Sequence, residues 1–177
     1  MRDVQEHGAR TALTSPDGGT RARGRRGVAL LGAVAVVVVG IDQLTKAWAA
    51  SQLADRNIDL IGSLRLHLER NSGAAFSLNQ GRGGIVAVGA LLVVVGVIWF
   101  GREMLESRAG ALAVGLVLGG ALGNIVDRLL RDGNGFLGGA VIDFIDLQWW
   151  PVFNVADIAV TVGGILLVFT SSRQSTA

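Results

Sequence analysis

Five aspartates stand in or beside strongly apolar sequence: Asp42, Asp127, Asp143, Asp146 and Asp157. An ionised Asp at the centre of a bilayer costs roughly 2.5–3.5 kcal/mol on insertion scales. Such a group must be paired, sit near water, or serve a reaction. Two carboxylates sharing one site offer a specific chemistry. At ~4 Å and an effective dielectric of ~20 they repel by about 4 kcal/mol, or about three pKa units. One acid then stays protonated at neutral pH while the other activates a water. Residue types and spacing permit such a pair among Asp127, Asp143, Asp146 and Asp157 without naming its members.

The neighbours of these acids recur at helical spacings. Asp42 and Lys46 are i,i+4 and can pair on one face, which also reads as a structural ion pair at a membrane edge. Asn154, Asp157, Thr161 and Gly164 form a polar stripe expected to face a helix bundle rather than lipid. Asn154 is placed to orient Asp157, although Asp157 also reads as a plain helix cap near free N–H groups. Gly115, Gly119 and Gly123, four apart, permit close helix approach. Gly120, Asn124, Asp127 and Arg128 follow on an adjoining face, where Asp127 beside Arg128 suits a scaffold. Asp143 lies in the apolar run Val-Ile-Asp-Phe-Ile, and Asp146 reads as a solvated loop acid.

These residues need elements to hold them. The chain has 177 residues, enough for one domain, and half of them are apolar. Mean hydropathy is +0.49. Charged residues make up 17%, below the ~25% usual in globular proteins. Cysteine is absent, which excludes disulfides and thiolate chemistry. His7 and His67 lie far apart with no zinc spacing, so no metal or organic cofactor is expected. The net charge of +2, with its Arg-rich part in the N-terminal tail, gives no reason to expect a nucleic-acid partner.

Residues 83–101 and 109–126 carry no charge, and each is close to the ~20 residues that cross a bilayer. Two shorter runs, 27–41 and 158–172, reach that length by including polar neighbours. Four transmembrane helices are expected, at about 27–48, 83–101, 109–127 and 155–171. Arg21, Arg23, Arg25 and Arg26 before the first helix place the N-terminus in the cytoplasm, with 49–82 and 128–154 outside and the C-terminus inside. A rival reading makes 21–50 a cleaved leader, with Ala47-Trp48-Ala49 resembling its cleavage site.

Residues 1–26 are expected to be a disordered tail, 27–172 the membrane domain, and 173–177 a cytoplasmic C-terminal tail. The alternation Leu64-Arg65-Leu66-His67-Leu68-Glu69 predicts a strand with one apolar face, and 74–78 a return strand. Val141–Phe144 is strand-like. Trp149, Trp150 and Pro151 suit the membrane interface. The fold class is thus all-α integral membrane with a small extracytoplasmic β-sheet.

Five segments resemble one bacterial family, lipoprotein signal peptidase or signal peptidase II. They are D42-Q-L-T-K46, N71-S-G-A-A-F76, G119-G-A-L-G-N-I-V-D-R128, V141-I-D-F144 and F153-N-V-A-D157. They stand in family order over about residues 41–160, though the link between Arg128 and Asp143 is longer than usual. The resemblance implies an intramembrane aspartic endopeptidase of the bacterial cytoplasmic membrane, both termini cytoplasmic, its active site near the outer face. It implies cleavage just before a cysteine that carries diacylglycerol, so diacylglyceryl-prolipoproteins as substrates, membrane phospholipid around a monomer, and no cofactor. By resemblance Asp143 and Asp157 are the catalytic pair. Asp42, Lys46, Asn71, Gly73, Asn124, Arg128 and Asn154 support the site or contact substrate, and Asp127 is structural. Two other classes place acids inside membranes: a small transporter, which moves ions without proteolysis, and a structural assembly protein, which tolerates Asp→Asn changes.

Overall fold

A computed structural model of the chain describes residues 17–72, 103–133 and 137–174, together with helical positions 89, 92, 95, 96 and 99. Among the described residues three long helices carry the fold: α1 (Asp17–Gln52), α2 (Arg108–Leu130) and α3 (Val155–Gln174). A short 3-10 turn, Glu103–Glu106, precedes α2, and Ser107 caps it by accepting the Gly110 N–H. Among the described residues three helices are long and apolar enough to cross a membrane, with mean hydropathies of 2.1, 1.9 and 1.8. Valine- and glycine-rich runs stay helical there because hydrocarbon offers the backbone no other hydrogen-bond partner. The expected span 83–101 falls largely outside the described residues, as does the expected return strand 74–78.

The span within α2 is 61% buried, against 22% for α1 and 17% for α3, so α2 is the central helix. Its glycines set the spacing. A Cβ on Gly115 would meet Val34 at 2.9 Å, one on Gly119 would meet Val38 at 2.7 Å, and one on Gly123 would meet the Asp42 carboxylate at 2.6 Å. The spacing-of-four stripe therefore receives α1. Gly120, on the adjoining face, receives Ala156 and Val160 of α3. The segment 21–50 is thereby built into the bundle.

Helix α1 begins at Asp17, inside the segment expected to be a disordered tail. Extending an existing helix adds one bond per residue fixed, whereas starting one is costly. The polar Gly-Arg stretch thus continues the apolar helix outward.

Three strands form an antiparallel sheet in the order β1 (Ile58–Ile61), β2 (Leu64–Asn71), β3 (Val141–Asp146). β2 shows the expected apolar face, Leu66 and Leu68 packing against the cluster of Ala49, Leu53, Ile142 and Phe144, although both of its faces are half-buried over most of its length. Its partners are β1, which the sequence pattern did not reveal, and β3. Ala49 of α1 and Leu53 just past its end pack with Ile142 and Phe144 to seat the sheet on the helices. Past β3 the chain turns back, and Ile145 and Phe153 exchange backbone hydrogen bonds of 2.8 and 3.0 Å. That reversal brings the start of α3 beside β3.

Candidate active site

Asp143 is 3% exposed on β3. One carboxylate oxygen accepts from Asn71 Nδ2 at 3.0 Å and the other from Asn154 Nδ2 at 2.6 Å. Burial pushes this carboxyl up to about 7, the Asp157 charge adds to the rise, and the two asparagine amides oppose it.

Asp157 sits in the first turn of α3. Asn154, just before that helix, donates its backbone N–H to Asp157 Oδ2 at 3.1 Å, and its Oδ1 accepts the Asp157 N–H at 3.1 Å. This is a reciprocal capping box. Asp157 is thus a helix cap, as the simpler reading held, yet one oxygen remains for other work. That oxygen accepts from Asn124 Nδ2 at 2.9 Å. Asn154 therefore touches both Asp143 and Asp157.

Lys46 orients Asn124. An ammonium has only donors, so the Asn124 oxygen faces Lys46 Nζ, at 2.9 Å, and its amide nitrogen points at Asp157. The other two Nζ contacts go to Asp42 at 2.8 Å and Asp127 at 3.0 Å. All three charged side chains are fully buried. Three donors meet three acceptors, the condition under which buried charges are tolerated. Asp42 and Lys46 do pair, and the pair is fully buried.

Asp127 takes the scaffold place expected of it through a backbone group and other cations, whereas Arg128 is not its hydrogen-bond partner: the Arg128 guanidinium donates to the Gly139 carbonyl at 3.2 Å. Asp127 instead binds Lys46, Arg131 Nε at 2.8 Å and the Ile142 N–H at 3.1 Å. Successive helical residues point about 100° apart, so neighbours in sequence do not share a face, whereas Arg131 at i+4 does. The glycine-rich link folds back on the end of α2 through Gly139, whose N–H donates to the Arg128 carbonyl at 3.1 Å.

Asp146 is not solvated. It is 4% exposed and bound to Arg65 Nε at 2.6 Å. Burial raises its carboxyl, but Arg65 and the Gln148 N–H outweigh that and hold it below the usual range. Arg65 faces Asp146 directly across β2 and β3, and sequence spacing gives no hint of that register. The polar stripe on α3 also stops early: Thr161 is exposed and bonds its own Asp157 carbonyl at 2.8 Å. Small residues, Ala156, Ala159 and Gly163, fill the buried face instead.

Gln43, inside the D42-Q-L-T-K46 segment, joins the cluster without a role expected from the sequence. Its amide nitrogen lies within 3.1–3.2 Å of Asp42, Asp127 and the Gly123 carbonyl. Its signal in the sequence is a glutamine beside an acid in an apolar run. Gly73 lies outside the described residues. Among the described residues, every buried side-chain nitrogen or oxygen has a partner.

A groove of about 430 Å³ opens beside Asp157, which lines it together with Trp149, Trp150, Phe153, Ile158 and Val162. The arrangement keeps a proton on Asp143 to about pH 7, within the influence of the Asp157 charge, and offers an apolar groove beside Asp157.

The signal peptidase (SPase) II family pattern matches residues 34–173. The lipoprotein signal peptidase of Mycolicibacterium smegmatis (strain ATCC 700084 / mc(2)155) is 45% identical over 174 residues, covering 97% of this chain and 73% of that protein. The one from Rhodococcus jostii (strain RHA1) is 48% identical over 141 residues, 78% of this chain and 70% of that one. A bacterial membrane enzyme solved by the in meso method at 2.3 Å superposes with a TM-score of 0.69 at 28% identity, over 84% of this chain and 90% of that chain. Similarity that runs from α1 through α3, and takes in every element contributing to the polar cluster, places the chain in the signal peptidase II family.

Proposed function

We propose that this chain is an aspartic endopeptidase that removes signal peptides from diacylglyceryl-modified prolipoproteins, cutting just before the lipidated cysteine. The observation that carries the reading is the Asn154 bridge, which holds Asp143 and Asp157 as one unit beside an apolar groove. Asp143, whose proton is retained to about pH 7, is the acid, and Asp157 is the base. Asn71 serves Asp143 in either state, because one amide carries both a donor and an acceptor.

Asp157 takes a proton from water, and the water oxygen attacks the scissile carbonyl carbon. Asp143 gives its proton to the carbonyl oxygen, producing a neutral tetrahedral intermediate. On collapse Asp143 recovers that proton, Asp157 passes its own to the departing nitrogen, and the C–N bond breaks. Water is thus divided between a new carboxyl on the signal peptide and a free amine on the cysteine. Such proton transfers contribute roughly 10²–10⁴-fold. Asn124 and Asn154 orient the pair, and Lys46, Asp42, Asp127 and Arg128 hold the elements that carry it.

The proposed setting is the bacterial cytoplasmic membrane. A fourth span at 83–101 joins the three helices, both termini are cytoplasmic, and the site lies near the outer face of a monomer among phospholipids. The lipid on the cysteine fixes the depth of the scissile bond. The test incubates purified protein with a diacylglyceryl prolipoprotein and follows cleavage by gel shift and mass spectrometry. A product beginning at the lipidated cysteine is expected, and an unlipidated precursor should be cut far more slowly. Equal turnover of both precursors would defeat the depth argument.

A further inference from the structure

Asp146 has no part in the proton transfers, yet it is buried and doubly bound. Its Oδ2 meets Arg65 Nε at 2.6 Å and its Oδ1 accepts the Gln148 N–H at 2.6 Å. Gln148 is also tied through its side chain to the Ser63 carbonyl at 3.0 Å, in the turn between β1 and β2. Its φ of 67° is a left-handed conformation, which a non-glycine residue keeps where its surroundings over-determine it. The next two residues are Trp149 and Trp150, set edge to face with centroids 6.2 Å apart. They are 71% and 59% exposed and wall the groove that includes Asp157. An unbroken chain of contacts thus runs from the sheet, through Arg65 and Asp146, to the outer wall of the groove.

We propose that the Arg65–Asp146 ion pair is a positioning device for substrate, holding the Trp149–Trp150 turn as the wall against which an acyl chain of the cysteine-linked diacylglycerol lies. This rests on the reading given under Proposed function. The lipid hangs from the residue next to the scissile bond, so its chains leave the catalytic pair within one side chain's length. The lining available beside Asp157 is apolar and aromatic. Releasing Gln148 lets the tryptophans leave the groove, which weakens binding while the Asn154-bridged pair stays intact.

The test compares Asp146→Ala, Asp146→Asn, Arg65→Gln and Arg65→Lys with wild type by two readouts. The first is the division between KM and kcat on a diacylglyceryl prolipopeptide. The second is acrylamide quenching of Trp149 and Trp150 in a Trp48→Phe, Trp99→Phe background, which needs no turnover. Asp146→Ala and Arg65→Gln should raise KM by about tenfold, the loss of one charge-assisted bond, with kcat held within about twofold. Quenching should rise in the same variants. Arg65→Lys should recover part of both, and Asp146→Asn, which still accepts from Gln148, should fall between. If Asp146→Ala does not fold, Asp146→Asn and Arg65→Gln carry the decision. Unchanged KM and quenching, or a loss confined to kcat, overturns the proposal. If the wild type cleaves nothing, the peptidase reading fails, while quenching still decides whether the ion pair holds the tryptophans.

Discussion

Asp127 accepts the backbone N–H of Ile142 at 3.1 Å, so a buried carboxylate on α2 grips β3 one residue before Asp143. Asp42 does the same for α3, accepting the Ala156 N–H at 3.0 Å, one residue before Asp157. Lys46 binds both carboxylates and, through Asn124, reaches Asp157 itself. One cation thus joins the two backbones that deliver the proposed pair.

Lys46→Met should therefore damage stability before chemistry. It leaves Asp42 and Asp127 buried without their common partner, and breaking a buried pair costs about 3–5 kcal/mol. Thermal unfolding in detergent should show a large loss. A variant as stable as wild type would mean the cluster is better hydrated than its burial indicates.

Asp143→Asn and Asp157→Asn should each fold and abolish detectable cleavage, a loss of at least about 10²-fold. The double variant should be little worse than either single one, because the two act as a unit. Initial rates measured alongside thermal unfolding separate chemistry from folding. Substantial cleavage by either single variant would mean the pair is wrongly chosen.

The raised proton affinity of Asp143 sets a pH dependence. Its carboxyl moves from 3.8 to about 7 on folding. Between those values the folded chain keeps a proton that the unfolded chain has released, so stability falls as pH rises through that window. About three pKa units correspond to about 4 kcal/mol at this 3% exposed site. The melting temperature of wild type should drop from pH 5 to pH 8 by more than that of Asp143→Asn. Cleavage should also decline above about pH 7, where the acid is lost, at a value that belongs to the coupled pair. Parallel melting curves for the two proteins would remove this account of Asp143.

Helix spacing can be tested at glycine. Gly119→Ala places a Cβ 2.7 Å from that of Val38 and should destabilise by about 1–3 kcal/mol, the usual cost of overpacking. Gly120→Ala drives α2 away from Ala156 and should also lower cleavage, since Asn124 and Asp157 face each other across that contact. Gly164→Ala meets nothing within 4 Å and should match wild type in melting temperature and rate.

Much of this was legible because apolar runs and spacings of three and four report helices directly. The glycine stripe, the Asp42–Lys46 pair and the Asn154–Asp157 relation are all local and follow from helical geometry. What stayed hidden depends on register between distant strands. Arg65 opposite Asp146, Asp127 reaching Ile142, and β1 as a partner of β2 join residues whose separation carries no periodic signal. Asp127 and Arg128 show the converse: neighbours in sequence point about 100° apart on a helix, so they bond to different groups.

The cluster of Asp42, Asp127, Lys46 and Arg131 contains two carboxylates and two cations. Moving one elementary charge through a transmembrane voltage involves about 2.3 kcal/mol per 100 mV, but a neutral set offers the voltage no net charge to displace. The scaffold around the proposed pair should therefore hold the same geometry in an energised cell and in a collapsed vesicle. Turnover in sealed proteoliposomes should not change when an ionophore discharges the membrane.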